Sequence, residues 1–193
     1  MYKQCKTAQS AARQRQLEMG LLQSMSVRNF EEISVSELCQ RLQIPRKSFY
    51  RYFDSKDGAL WALLDHTLQD YDTFVPEPGK TASKVNREEL YRFFAFWQHQ
   101  KKLLDALQRS GLSGVLIERT IRHALSRRIM HGRFLPEDSP EMQKQVTVFS
   151  ICGLMSMVLT WHHSGYPQTA AEMAAVAARL LSRPLFSETD PIR

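Results

Sequence analysis

Cysteine is scarce in this chain: Cys5, Cys39 and Cys152 stand far apart among 193 residues. Three scattered thiols make no disulfide framework, no CxxC pair and no zinc spacing. Cys39 falls inside an amphipathic pattern and reads as a small buried hydrophobe. Glycine and proline number eight each, too few for low-complexity disorder. No apolar run reaches the about 20 residues that a bilayer crossing needs. The longest uncharged stretch, Val146 to Gly165, carries Ser, Thr and His and reads as a helix buried on most sides. Met1 to Gln16 is polar and basic, without the apolar core of a signal peptide, so a cytoplasmic location with no membrane association is expected. Catalytic signatures are missing as well: no GxSxG, no phosphate-cradling glycine loop, no HExxH. No enzymatic activity and no cofactor is expected. His162 and His163 diverge by roughly 100° on a helix, and His123 and His131 sit eight residues apart, so neither pair suits one ion and no metal is expected.

What is present is a basic first third. Residues 1–56 hold ten Lys and Arg against five Asp and Glu, while the remainder holds 16 against 15. A local positive field is what a phosphate-binding module needs. The periodicity is helical throughout, with no convincing alternating strand. A first helix is expected over Ala11–Ser26, with Leu17, Leu21 and Met25 on one stripe. Ser34 and Glu37 make a capping box that opens a second helix. Gln43 and Ile44 make a turn, and Pro45 suits the start of a short third helix, Arg46–Phe53. Phe49 and Phe53, spaced i, i+4, anchor that helix inward and leave Arg46, Lys47, Ser48, Tyr50 and Arg51 outside. Asp54 and Ser55 end it and cap a fourth helix carrying Leu60, Leu63, Leu64, Leu68 and Tyr71. Val75–Lys84 is rich in Pro, Gly and small polar residues and reads as a linker. Beyond it lie an aromatic helix over Arg87–Arg109, a helix over Ser113–His131 and a loop over Gly132–Ser139. A long helix from Ser139–Pro140 to about Ser164, and a last one opened by Thr169 and Glu172, complete the chain. Ser187–Arg193 reads as a frayed tail. The expected fold is all-α, with about nine helices.

The stretch from Ser34 to Lys56, SVSELCQRLQIPRKSFYRYFDSK, therefore has the build of a helix-turn-helix. With Leu64 as its far end, this region resembles the N-terminal domain of the TetR family of transcriptional regulators. The run Phe49-Tyr50-Arg51-Tyr52-Phe53-Asp54-Ser55-Lys56-Asp57 carries the likeness. The resemblance implies double-stranded DNA as a partner. Arg46, Lys47 and Ser48 would face base edges, Tyr50, Tyr52 and Lys56 would hold phosphates, Arg51 would reach either, and Ser34 joins the DNA-binding set. Packing within the small domain is the alternative for Tyr50 and Tyr52. This chain departs from the family pattern at Gln43, where a Gly is usual, and at Pro45, where a Ser or Thr cap is usual. A left-handed Gln43 would bear strain of order 1 kcal/mol.

The implied layout is a helix-turn-helix domain at 1–56, a connecting helix at 57–74, and a helical ligand-binding and dimerisation domain at 75–193. Phe93, Phe94, Trp97, Leu104 and Leu107 would line one side of a pocket, with His99 as a polar handle. Phe149, Met155, Trp161 and His162 would line the other. Such walls suit an apolar or aromatic small-molecule effector, with plain core packing as the alternative. Ile151, Leu154, Met157 and Val158, with Ala174, Ala177 and Leu181, leave little polar face and are expected to form a four-helix bundle between two subunits. The expected function is a homodimeric, ligand-responsive DNA-binding regulator that acts as a repressor on an inverted repeat. Its rival is a helical small-molecule- or partner-binding protein of the same fold without DNA affinity.

Overall fold

A computed structural model describes residues 1–74, 87–127 and 139–182. The expected linker Val75–Lys84, most of the Gly132–Ser139 loop, His131 and the tail Ser187–Arg193 lie outside these residues. The described residues form nine α-helices: α1 (Ala8–Met25), α2 (Val35–Arg41), α3 (Arg46–Tyr50), α4 (Lys56–Phe74), α5 (Arg87–His99), α6 (Lys101–Arg109), α7 (Ser113–Arg127), α8 (Pro140–His163) and α9 (Ala170–Leu181). A 3-10 turn at Phe30–Glu32 joins α1 to α2. The all-α expectation holds: the only β pairing among the described residues is an isolated antiparallel bridge between Tyr2 and Phe53.

The chain divides into two compact units. The first comprises Met1–Asp70 and Lys101–His123, the second Tyr71–Gln100 and Ala124–Arg193. In the first unit, Leu17, Leu21 and Met25 of α1 are fully buried, as their spacing demands. Leu103, Leu104, Ala106 and Leu107 of α6 are also buried there. Arg109 donates to the Ser26 carbonyl at 2.6 Å and Ser110 Oγ accepts from the Phe30 amide at 2.9 Å, which fixes the end of α6 to the α1–α2 connection. Gly20 has its reason in packing, since a Cβ there would lie 2.7 Å from the Leu42 side chain.

The second unit is aromatic. Phe93, Phe94, Phe96 and Trp97 of α5 are buried, and α9 lies against α5. Edge-to-face contacts join Phe94 to Trp161 at 5.8 Å and Tyr71 to Phe96 at 5.2 Å. Such pairs add to the area they bury because ring edges and faces carry opposite partial charge.

One continuous helix over Arg87–Arg109 does not form. The helix ends at His99, where the Gln100 amide is shared between the Phe96 carbonyl at 3.2 Å and the Trp97 carbonyl at 3.1 Å, and a new helix starts at Lys101. The aromatic residues and the leucines bury in different units, so one unbroken helix phase does not serve both. Helix α8, at 24 residues, is by length and composition apolar enough to cross a bilayer, unlike the expectation from its Ser, Thr and His content. Its apolar residues divide between an inward face (Ile151, Met155, Val158) and an outward one (Met142, Val146, Phe149).

Candidate nucleic-acid interface

Helices α2 and α3 are set by backbone chemistry before any packing. Ser34 Oγ accepts from the Glu37 amide at 3.2 Å, and the Glu37 carboxylate accepts from the Ser34 amide at 3.0 Å. This reciprocal cap, with Arg28 Nη1 at 3.2 Å, holds the Glu37 carboxyl down to about 2. Ser34 is thus employed in starting α2.

Helix α2 ends in a Schellman turn. The Ile44 amide bonds the Cys39 carbonyl at 2.9 Å, and the Gln43 amide bonds that of Gln40 at 3.1 Å. This closure requires a left-handed residue at position 43, and Gln43 has φ 52°. Helix α6 closes in the same way with Gly111 at φ 68° in the equivalent place. Pro45 follows with φ −63° and contributes no side-chain cap to α3. Arg51 and Tyr52 form a turn and Phe53 a bridge to Tyr2 rather than further helix, so α3 is shorter than expected.

Phe49 and Phe53 are fully buried and 5.1 Å apart, which locks the roll of α3. That roll leaves Arg46, Lys47, Tyr50 and Arg51 exposed and Ser48 half-buried. Arg46 lies against the Tyr50 ring, with its guanidinium carbon 5.9 Å from the centroid and Nη2 3.5 Å from the hydroxyl. The Tyr50 hydrogen bond raises the Arg46 pKa further, so the guanidinium stays charged. Lys47 and Arg51 have no side-chain partner among the described residues. Exposed cations on a short, firmly rolled helix suit a major groove.

Three residues of the expected DNA-binding set are otherwise engaged. Tyr52 is buried against Phe53. Lys56 Nζ donates to the Phe30 carbonyl at 2.5 Å and to that of Glu31 at 3.3 Å, and sits 4.2 Å from the Phe30 ring centre. It ties α4 to the 3-10 turn. Ser34 is a cap. The Ser34 cap and the packing of Tyr52 are among the sequence expectations; the Lys56 tie was missed, because the 3-10 turn that supplies its partners carries no strong local signal.

The N-terminal arm was also missed. The Lys3 amide donates to the Tyr52 carbonyl at 2.9 Å and the Asp54 amide to the Met1 carbonyl at 3.1 Å, so the arm pairs with the turn after α3. Tyr2 donates its hydroxyl to Asp65 at 2.8 Å, and Arg119 meets the same carboxylate at 3.1 Å. Burial first, then the Asp65 bond, pushes the Tyr2 phenol well up.

The comparisons with known proteins match this geometry. The model of bacterial regulatory proteins of the tetR family matches residues 22–62, which cover the end of α1, the helix-turn-helix and the start of α4. Over this domain the chain is similar to the TetR family. It is 29% identical over 93 residues to the HTH-type transcriptional regulator EthR of Mycobacterium tuberculosis, covering 46% of this chain and 43% of that protein. The match thus spans less than half of the relative's length. A tetR-family transcriptional regulator from Streptomyces coelicolor superposes with a TM-score of 0.59 at 22% identity, over 87% of this chain and 78% of that one. The fatty acid degradation regulator FadR from Bacillus halodurans gives 0.60 at 14% identity, over 94% and 98%. These likenesses extend the shared fold across most of the chain.

Outside the TetR-type domain, the structure redistributes the expected residues. Phe93, Phe94, Trp97, Met155, Trp161 and His162 are buried in the second unit, whereas Leu104 and Leu107 belong to the first. Phe149 is 64% exposed. His99 is exposed and bonds its own helix, Nδ1 to the Ala95 carbonyl at 2.6 Å. The residues expected at the interface divide by burial in the single chain. Ile151, Val158, Ala174 and Ala177 are buried within their own unit, because the narrow alanine face of α9 is the one that fits against α5. Leu154 and Met157 are half-buried and Leu181 is exposed. The outward apolar faces are Met142, Val146 and Phe149 on α8 and Val176, Leu180 and Leu181 on α9.

Proposed function

We propose that this chain is a cytoplasmic DNA-binding repressor of the TetR type, working as a homodimer on an inverted repeat and released by a small apolar or aromatic effector. The observation that carries the reading is α3: Arg46, Lys47, Tyr50 and the following Arg51 are exposed on a helix whose roll is fixed by buried Phe49 and Phe53. Arg46, Lys47 and Ser48 read base edges, and Tyr50 and Arg51 meet the backbone. Lys56, Tyr52 and Ser34 shape the domain. The proposed division keeps the helix-turn-helix at 1–56, α4 as connector and the remainder for ligand and partner.

Dimerisation is supported by the exposed apolar residues of α8 and α9, arranged for a bundle of two helices from each subunit. Effector binding is supported by Trp97, whose buried indole N–H finds no acceptor among the described residues. An effector oxygen would satisfy it, which is the usual role of a lone polar group in an aromatic pocket. Helix α4 starts in the first unit and ends in the second, so a ligand that favours one pose of α4 would change DNA affinity.

The test is an anisotropy titration with the DNA upstream of the protein's own gene at several salt concentrations. A sequence-selective complex that weakens with salt is expected. The doubly substituted Arg46→Ala/Lys47→Ala chain should lose selectivity and show a shallower salt slope. No selective binding by the unsubstituted chain would favour a ligand- or partner-binding protein without DNA affinity.

A further inference from the structure

A polar cleft of about 540 Å³ opens beside the candidate reading helix; of the residues given a DNA-contacting role above, it includes Arg51 alone. Gln9, Ser10, Arg13 and Gln16 of α1 line one wall, and Arg51 and Tyr52 line the other. The α1 residues recur at helical spacing, so they form one face. No carboxylate borders the cleft. Residues 1–17 contain Lys3, Lys6, Arg13 and Arg15 and no Asp or Glu. Arg13 Nη1 is steered by a 2.6 Å bond to Gln16 Oε1, which leaves its remaining donors for other partners. Arg51 has no side-chain partner among the described residues.

Two guanidiniums that border one cleft without a counter-ion repel each other, and an anion between them removes that repulsion. The planar fork of Arg suits phosphate oxygens, and the neighbouring Ser hydroxyl and Gln carboxamides supply neutral donors. The position selects the source of the phosphate. Arg51 directly follows α3, so the cleft begins where the reading helix stops.

We propose that this cleft seats a DNA backbone phosphate just outside the base pairs read by α3, with Arg13 as its principal ligand. This rests on the DNA-binding reading and adds a second anchor from α1.

The probe is a duplex selected from a randomised pool by the full chain. It is prepared with flanks, trimmed to the edge of the selected sequence, and flanked with single methylphosphonates that remove one charge each. Arg13→Ala should weaken binding to the flanked duplex about fivefold and lower the log–log salt slope by about 1. It should match the unsubstituted chain on the trimmed duplex. One methylphosphonate should weaken the unsubstituted chain and leave Arg13→Ala unaffected. Arg13→Lys should restore much of the loss, and unchanged melting temperatures keep a folding defect apart. Equal weakening on both duplexes, or none on either, overturns the proposal. Stabilisation by inorganic phosphate without any dependence on flanks would assign the cleft to a free anion instead. Failure of the unsubstituted chain to select any duplex overturns the DNA-binding reading itself, and this one with it.

Discussion

Gln43 holds a backbone shape that L-residues with a Cβ pay for. Its φ of 52° is imposed by the Schellman closure, because the Ile44 and Gln43 amides reach Cys39 and Gln40 only if the chain reverses there. Gln43→Gly should therefore stabilise the protein by about 0.5–1 kcal/mol, the relief of left-handed strain less the entropy glycine adds to the unfolded chain. Denaturant melts check this, and a lower midpoint would refute the strain. Glu37 gives a second result at this scale. Its folded carboxyl titrates at about 2 against an ordinary 4.5, chiefly because of the Ser34 backbone and hydroxyl bonds. A depressed carboxylate stabilises the fold above its unfolded pKa and loses that contribution as pH falls from about 4.5 towards 2. Glu37→Gln should flatten that part of the stability-against-pH curve, and an unchanged acid limb would count against the cap. The capping box and the left-handed turn were both legible, since each depends on neighbours within five residues. The employment of Lys56 was not legible, because its carbonyl partners, Phe30 and Glu31, lie two helices away in sequence.

Elements meet here at close range. The arm of Met1–Lys3 crosses the start of α4 so tightly that a Cβ on Gly58 would lie 2.3 Å from the Met1 carbonyl oxygen. Gly58→Ala should thus cost about 1–3 kcal/mol through overpacking and release the arm. Hydrogen exchange at the Lys3 and Asp54 amides reads this directly; continued protection with unchanged stability would show that the arm adapts. Helix α1 starts three residues earlier than expected, on the Thr7 cap, whereas the lengths of α2, α8 and α9 follow from caps and apolar period in the sequence. The break at Gln100 does not, since no Gly or Pro marks it. It is set by which core each neighbouring segment joins, the aromatics of α5 in one unit and the leucines of α6 in the other.

For the whole molecule, the testable question is what covers the outward faces of α8 and α9. Replacing Phe149 and Leu180 by Asp should convert a dimer to monomers in sedimentation equilibrium and weaken DNA binding. Both residues are exposed in the single chain, so its fold should persist. A dimer that survives the pair of substitutions would place the interface elsewhere.

The sequence by itself determined the helical class, the caps, the α2–α3 turn and the inward anchors Phe49 and Phe53. All of these depend on local hydrogen bonding and on a period of 3.6 residues. Only the tertiary structure decided which apolar faces are spent inside the chain. Helices α8 and α9 are apolar on more than one side, so periodicity does not choose between core and surface. Packing of α9 against α5 makes that choice: it buries Ala174 and Ala177 and leaves Val176 and Leu180 outside.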